Sequence, residues 1–371
     1  MKSTKGNSVF FVFPCFFVLE IGNVSYLCIR MKTLHIFNPE HDIALASDLS
    51  NFTAPRAGRK LRIDLAFLPA LWSGEDDVVL VDDAEQALVG YRRLLPDASV
   101  RARFVTKEQL SHLDIQRVEP WGWDRALRAQ LLRYGVDSVP SEDYITMVRQ
   151  LSHRRTAAQL LPSLRIDGTV GEAVECSTLQ QVEACLTRWG QVVVKAPWSS
   201  SGRGVHFSVH QGWVCNVLKQ QGSVMVEPFY EKVMDFGMEF TADASTGIRY
   251  EGLSLFHTVR GAYVGNIVAT EAVKQQMLCR YLPEELLDQV RQLIVANLWL
   301  ADYCGPFGVD MMVVASAGGY LLHPCVEINL RRTMGHVALT LPTGAENECR
   351  VMRIAYDGDA YNMSVEPFHA E

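Results

Sequence analysis

The apolar run Val9–Leu19 (VFFVFPCFFVL) falls well short of the roughly 20 residues that a membrane-spanning helix needs. It follows Lys2 and Lys5 as a signal peptide would, yet no small-x-small cleavage site comes after it. Ser25-Tyr26-Leu27-Cys28 likewise lacks the small residues that precede a lipidated cysteine. The nine cysteines include no C-x-x-C pair and no His/Cys cluster at zinc spacing. An odd number of scattered thiols suits a reduced, cytoplasmic protein. Positive charge is also in short supply. A net charge of −7 argues against a nucleic-acid-binding surface, and the basic clusters at Arg125–Arg133 and Arg149–Arg155 lie among acidic residues. Both common phosphate fingerprints are missing: there is no G-x-x-x-x-G-K-[ST], and no G-x-G-x-x-G follows a predicted strand.

What is present suffices for a sizeable core. With 48% hydrophobic residues in 371, the chain can build two or three lobes. Residues 1–30 read as a leader or a mis-assigned start, because Met31-Lys32-Thr33 opens a clean strand and makes Met31 a natural first residue. Residues 31–140 read as an α/β lobe, with strands at Thr33–Phe37, Asp77–Val81 and around Arg101–Val105. Its helix Trp123–Tyr134 is stopped by Gly135. Asn38-Pro39-Glu40-His41-Asp42 follows the first strand, at the edge where α/β sheets take ligands. This segment is either part of a substrate site or a helix start whose acidic first turn suits the dipole.

A second lobe is expected over 141–225 and a third over 226–371. In the second, Gln191–Ala196 is a buried strand carrying Lys195, which needs a partner because an unpaired buried ammonium is costly. The loop Pro197–Val205 (PWSSSGRGV) follows, and its small side chains leave backbone N–H groups free to approach phosphate oxygens. It is either such a cradle or an ordinary hairpin. In the third lobe, Ser223–Val226 and Phe236–Thr241 are strands around Glu227-Pro228-Phe229, and Gly252–Thr270 forms two strands around Gly261. His257, Arg260 and Asn266 are polar residues there that could face a cleft. Pro283–Asp302 is an amphipathic helix, and Gly344–Tyr356 is expected to close the fold as another helix, followed by a plain tail.

The densest pattern is Tyr303–His336. Two apolar runs flank Ser316-Ala317-Gly318-Gly319, and a tight turn on Gly318-Gly319 sets Asp310 opposite Glu327. Opposed like charges destabilise a sheet, so the pair needs a compensating reason. With a side-chain period of two, Glu327, Asn329 and Arg331 share the face of Asp310. Two carboxylates and an amide oxygen suit Mg²⁺, and Arg331 suits a phosphoryl group. A solvated strand face with an incidental ion pair fits the alternation equally well.

Glu327-Ile328-Asn329-Leu330-Arg331 resembles the E-[IV]-N-x-R signature of the ATP-grasp superfamily, and Asp310 resembles its first metal carboxylate. Lys195 with the Ser/Gly loop resembles that superfamily's strand lysine and flap, and Glu227-Pro228-Phe229 resembles its adenine hinge. Ser152-His153-Arg154 resembles the S-D-K that opens a phosphate-contacting helix, with Arg154 at the lysine position and His153 replacing the aspartate.

The resemblance implies an α/β protein with the ATP-grasp fold and an N-terminal Rossmann-like lobe. It implies ATP and Mg²⁺ (or Mn²⁺) as cofactors, and a ligase joining a carboxylate to an amine or similar nucleophile through an acyl phosphate. Asp310, Glu327 and Asn329 would hold the metal, and Lys195 and Arg331 would act on the γ-phosphoryl group. Arg154, Ser200, Ser201, Gly202, Gly204, Glu227, Phe229 and Asp235 would bind nucleotide, with Glu231 competing for Asp235's role at the ribose. The expected partners are small-molecule carboxylate and amine substrates, with no nucleic acid and no membrane, and a homodimer is left open. A kinase using the same site, a carboxylase-like enzyme and a nucleotide-sensing module are the alternatives.

Overall fold

The computed structural model describes residues 32–199, 204–259, 262–344 and 348–368. Ser200, Ser201, Gly202 and Arg260 therefore lie outside the described residues. Three sheets organise the chain. The first holds β1 (Thr33–Ile36), β2 (Val78–Leu80), β3 (Arg103–Val105) and β4 (Arg117–Pro120) in the order β3-β2-β1-β4, all parallel. All four residues of β1 are buried, as expected for a parallel strand covered on both faces. Its helices start where the sequence offers caps: Asp83 accepts the amides of Glu85 and Gln86, and Asp124 accepts that of Leu127. Gly135, at φ +78°, ends the helix Arg125–Arg133 in a conformation that favours glycine.

The second sheet is small and antiparallel, with β5 (Val174–Cys176), β6 (Val192–Lys195), β7 (Val205–His206) and β8 (Val224–Pro228) in the order β5-β8-β6-β7. Helices Leu179–Trp189 and Gln211–Gln221 bury Val182, Cys185, Val214 and Val217 in the same cluster as its valines. The third sheet is antiparallel and seven-stranded, in the order β13-β12-β9-β10-β11-β14-β15. Its strands are β9 (Lys232–Asp243), β10 (Gly247–Val259), β11 (Ala262–Val268), β12 (Gly305–Ser316), β13 (Gly319–Asn329), β14 (Arg350–Tyr356) and β15 (Tyr361–Pro367). The helix Glu284–Asn297 buries Leu286, Leu287, Val290 and Ile294 in one cluster with Phe236, Phe240 and Phe307. Phe240 and Phe307 stack with centroids 5.1 Å apart. Truncating either ring to Ala would cost about 3–5 kcal/mol.

The structure corrects several expectations. Residues 350–356 are strand, not helix: they pair with both β11 and β15, and the expected plain tail supplies β15. Local periodicity is ambiguous over so few residues, and the open edge of β11 decides the matter. Asn266 faces no cleft. It is buried, donates to Ser254 Oγ and accepts from Tyr263. The hairpin turn also sits one residue earlier than expected, since Ser316 pairs with Gly319. That alone would have moved Asp310 opposite Cys325. A bulge between Asp310 and Met312 resets the register, and Asp310 does face Glu327. Met311 there opposes Pro324, Cys325 and Val326, and Pro324 has no N–H to give the ladder.

Candidate nucleotide and metal site

β12 and β13 present Asp310 and Glu327 side by side, both partly buried. On the other flank Asp310 neighbours Gly237 of β9, where an added Cβ would lie 3.5 Å from Asp310 Oδ1. Burial, then the charges of Glu327 and Glu239, push the Asp310 carboxyl up to about 8. Burial also raises Glu327, although Arg154 pulls against it. Two adjacent carboxylates that resist ionising together are what a bound cation would relieve.

The donor set fits Mg²⁺ as a two-carboxylate site. Among the described residues there is no cluster of three or more His, Cys, Asp or Glu arranged for a metal. Mg²⁺ needs only one or two carboxylates and fills its other positions with water and phosphate oxygens. Asn329 Nδ2 donates to Asp310 Oδ2 at 3.1 Å, while Asn329 Oδ1 accepts from Arg331 Nη2 at 3.0 Å. Asn329 would therefore offer an oxygen to a cation only after its amide turns over.

The cations of the site all have partners. Arg154 Nη1 lies 2.8 Å from Glu327 Oε2, and the rest of its fork holds the stem of the Ser/Gly loop. Its Nε donates to the Ala196 carbonyl at 3.1 Å and its Nη2 to Ser199 Oγ at 3.2 Å. One guanidinium thus holds both the loop stem and the Glu327 carboxylate, which a point-charge ammonium could not span. Gly204 closes the loop: its carbonyl accepts from Ala196 N–H at 2.8 Å, and an added Cβ would meet Ser199 Cβ at 2.4 Å.

Lys195 finds its required partner in Glu227, at 2.6 Å, with both side chains 7% exposed. Phe229 is exposed, and its N–H donates to the Gln191 carbonyl at 3.0 Å. Asp235 is bonded to Lys232. His153 packs edge-on against Trp198. Burial, then the neighbouring arginines Arg155, Arg149 and Arg154, push its pKa down to about 3, so it is neutral.

Sequence reasoning left out the partner of Arg331. Asp42 accepts its Nε at 3.0 Å and its Nη2 at 2.8 Å in a forked pair. Burial would raise Asp42, but the guanidinium outweighs it and holds the carboxyl below the usual range. The helix His41–Ser47 does place Asp42 in its first turn. The helix-start reading of the Asn38–Asp42 segment thus accounts for where Asp42 sits, and the only signal for its pairing was its position after β1. Glu239 was missed outright. It is 3% exposed, and its Oε2 lies 3.0 Å from His336 Nδ1. A glutamate inside the apolar run Phe236–Phe240 was the signal that could have found it.

No protein-family model matches the sequence, and no curated protein matches it. Solved structures do. The biotin carboxylase domain of the Hydrogenobacter thermophilus 2-oxoglutarate carboxylase, solved as a dimer with MgADP, ADP and bicarbonate, has a TM-score of 0.51 at 13% identity. That match covers 88% of this chain and 75% of that one. The Staphylococcus aureus N5-carboxyaminoimidazole synthetase complexed with ADP gives 0.48 at 14% identity, over 88% of this chain and 83% of that one. A protein assigned to the ATP-grasp superfamily from Archaeoglobus fulgidus gives 0.47 at 12%, over 91% of this chain and all of that one. The likeness to the biotin carboxylase domain gives the chain the ATP-grasp fold. At such identities the likeness defines the fold alone.

Proposed function

We propose that this protein is an ATP- and Mg²⁺-dependent ligase that joins a carboxylate to an amine, or a similar nucleophile, through an acyl phosphate. The observation that carries the reading is the direct opposition of Asp310 and Glu327 on β12 and β13, with Arg154 and the Asp42–Arg331 pair bonded to the same face. Asp310 and Glu327, with Asn329 through its oxygen, would hold Mg²⁺, which when bound offsets the charge of the nucleotide phosphates.

In this reading the nucleotide lies between the 141–225 and 226–371 lobes. Lys195, Arg154 and the backbone amides of Ser200, Ser201, Gly202 and Gly204 bind phosphate oxygens. Glu227 and the backbone at Phe229 take the adenine, and Asp235 takes the ribose. A substrate carboxylate attacks the γ-phosphorus and ADP leaves. The amine then attacks the acyl carbon, loses its proton, and inorganic phosphate leaves. Arg331, held in place by Asp42, faces the phosphoryl oxygens as charge builds on them.

The test is ADP release from MgATP with a panel of small carboxylic acids and amino acids, each with and without an amine. Release that requires both components supports the ligase. Release with the acid alone makes the protein a kinase, and no heat of MgATP binding by calorimetry removes the reading altogether.

A further inference from the structure

A cavity of about 450 Å³ opens beyond the carboxyl ends of β1, β2 and β3. Phe37, Asp82 and Thr106, each just past its strand, line it, as do Asp124 and Leu127 beyond β4. The sheet order β3-β2-β1-β4 reverses direction between β1 and β4, so the cavity occupies the switch point at which open α/β sheets take ligands. Its volume is within the roughly 300–1,000 Å³ of small-molecule sites.

The charges on its wall are unequally committed. Glu40 is paired with Arg62 at 2.5 Å, and Glu108 lies 3.7 Å from Lys107. Asp124 accepts from Asn38 Nδ2 at 3.2 Å and from Leu127 N–H at 2.9 Å. Two guanidinium groups remain. Arg59 donates to the Ala54 carbonyl at 2.8 Å but meets no carboxylate, and Arg133 forms no ion pair among the described residues. Asp82, exposed at the mouth, is the one acid on this wall with no partner among them. Asn38 and Glu40 line the wall, and Asp42, two residues further along the chain, is paired with Arg331 of the proposed reaction centre.

We infer that this cavity is the subsite for an anionic group of the substrate. Its ligand is a small molecule with a carboxylate or phosphate remote from the reacting group, taken by Arg59 and Arg133 while the reacting end lies toward the Asn38–Asp42 segment. The inference rests on the ligase reading for what happens at that end, but not for the anion site itself.

Calorimetry on the full chain tests it, with succinate, glutamate, inorganic phosphate and ribose 5-phosphate as probes and with succinamide and ribose as neutral counterparts. The parent should bind at least one anion, weaken with added salt as an ionic contact does, and ignore the neutral counterparts. Whether carboxylates or phosphates bind names the source. The double variant Arg59→Gln/Arg133→Gln should lose at least tenfold in affinity for that anion while binding MgATP as the parent does. Both side chains are exposed at the cavity rim, so the substitutions leave the core untouched. Equal anion affinity in the two proteins, or no anion binding by a parent that binds MgATP, overturns the subsite and leaves the ligase standing. Anion binding that depends on the two arginines in a protein that never binds MgATP overturns the ligase and leaves the subsite standing.

Discussion

Replacing Asp310 with Asn separates a metal face from a solvated strand more cleanly than any change at Glu327. Glu327 is paired with Arg154, so Glu327→Gln mixes relief of repulsion with loss of an ion pair. Asp310 instead accepts a neutral hydrogen bond from Asn329. With its carboxyl pushed up to about 8 by burial and by Glu327 and Glu239, the folded protein without metal keeps this proton up to about that pH. The unfolded chain releases it near pH 4. The native state therefore binds more protons across that window, and stability falls as pH rises, by at most about 1.4 kcal/mol per pH unit from this group. Cross-strand repulsion of like charges alone is worth less than about 1 kcal/mol. Between that floor and the linkage ceiling, Asp310→Asn should stabilise the metal-free protein by about 1–3 kcal/mol near pH 8 and by much less near pH 5. Urea denaturation at a series of pH values, with and without Mg²⁺, reads this directly. Added Mg²⁺ with nucleotide should close the gap for the parent and do nothing for the variant, whose ADP release should fall by about 10²-fold or more. Parallel denaturation curves at every pH, together with undiminished ADP release, would refute the metal face.

Lys195→Met leaves Glu227 buried without its cation and should cost about 3–5 kcal/mol. The double change with Glu227→Leu should recover most of that stability in thermal melts but not MgATP affinity. Asp42→Asn removes the carboxylate from the forked pair with Arg331 and should lower stability by about 1–3 kcal/mol, visible as a shift in the urea midpoint. Arg331→Lys should not substitute, because an ammonium cannot reproduce the fork, and kinetics beside the parent would show this. Gly335→Ala would set a Cβ 1.9 Å from Glu239 Oε1 and 2.4 Å from Ser254 Oγ, and should destabilise by about 1–3 kcal/mol. Gly318→Ala, with nothing within 4 Å, is its control, and equal melting temperatures for the two would contradict the packing around Glu239.

Local chemistry in the sequence determined a good deal by itself. The period of two along Glu327–Arg331 put three polar side chains on one face, and an ammonium among valines required a buried anion. Apolar runs bounded by turn residues located β1, β2, β6 and β8 to within a residue or two. These features depend on neighbours a few positions away, and the chain carries that information in order.

Pairing between distant segments was decided only by the tertiary structure. Asp42 and Arg331 are 289 residues apart, and nothing local to either selects the other. Glu227 answers Lys195 because β6 and β8 are adjacent in the small sheet, so the expected adenine contact is first of all a charge partner. Asp310 meets Glu327 through two departures that cancel, a turn one residue early and a bulge at Pro324. A hairpin rule propagates register from the turn outward and cannot see a bulge. The sheet accepts one because β12 also pairs with β9 over Gly305–Val314, and the summed ladder outweighs the preference of a single turn.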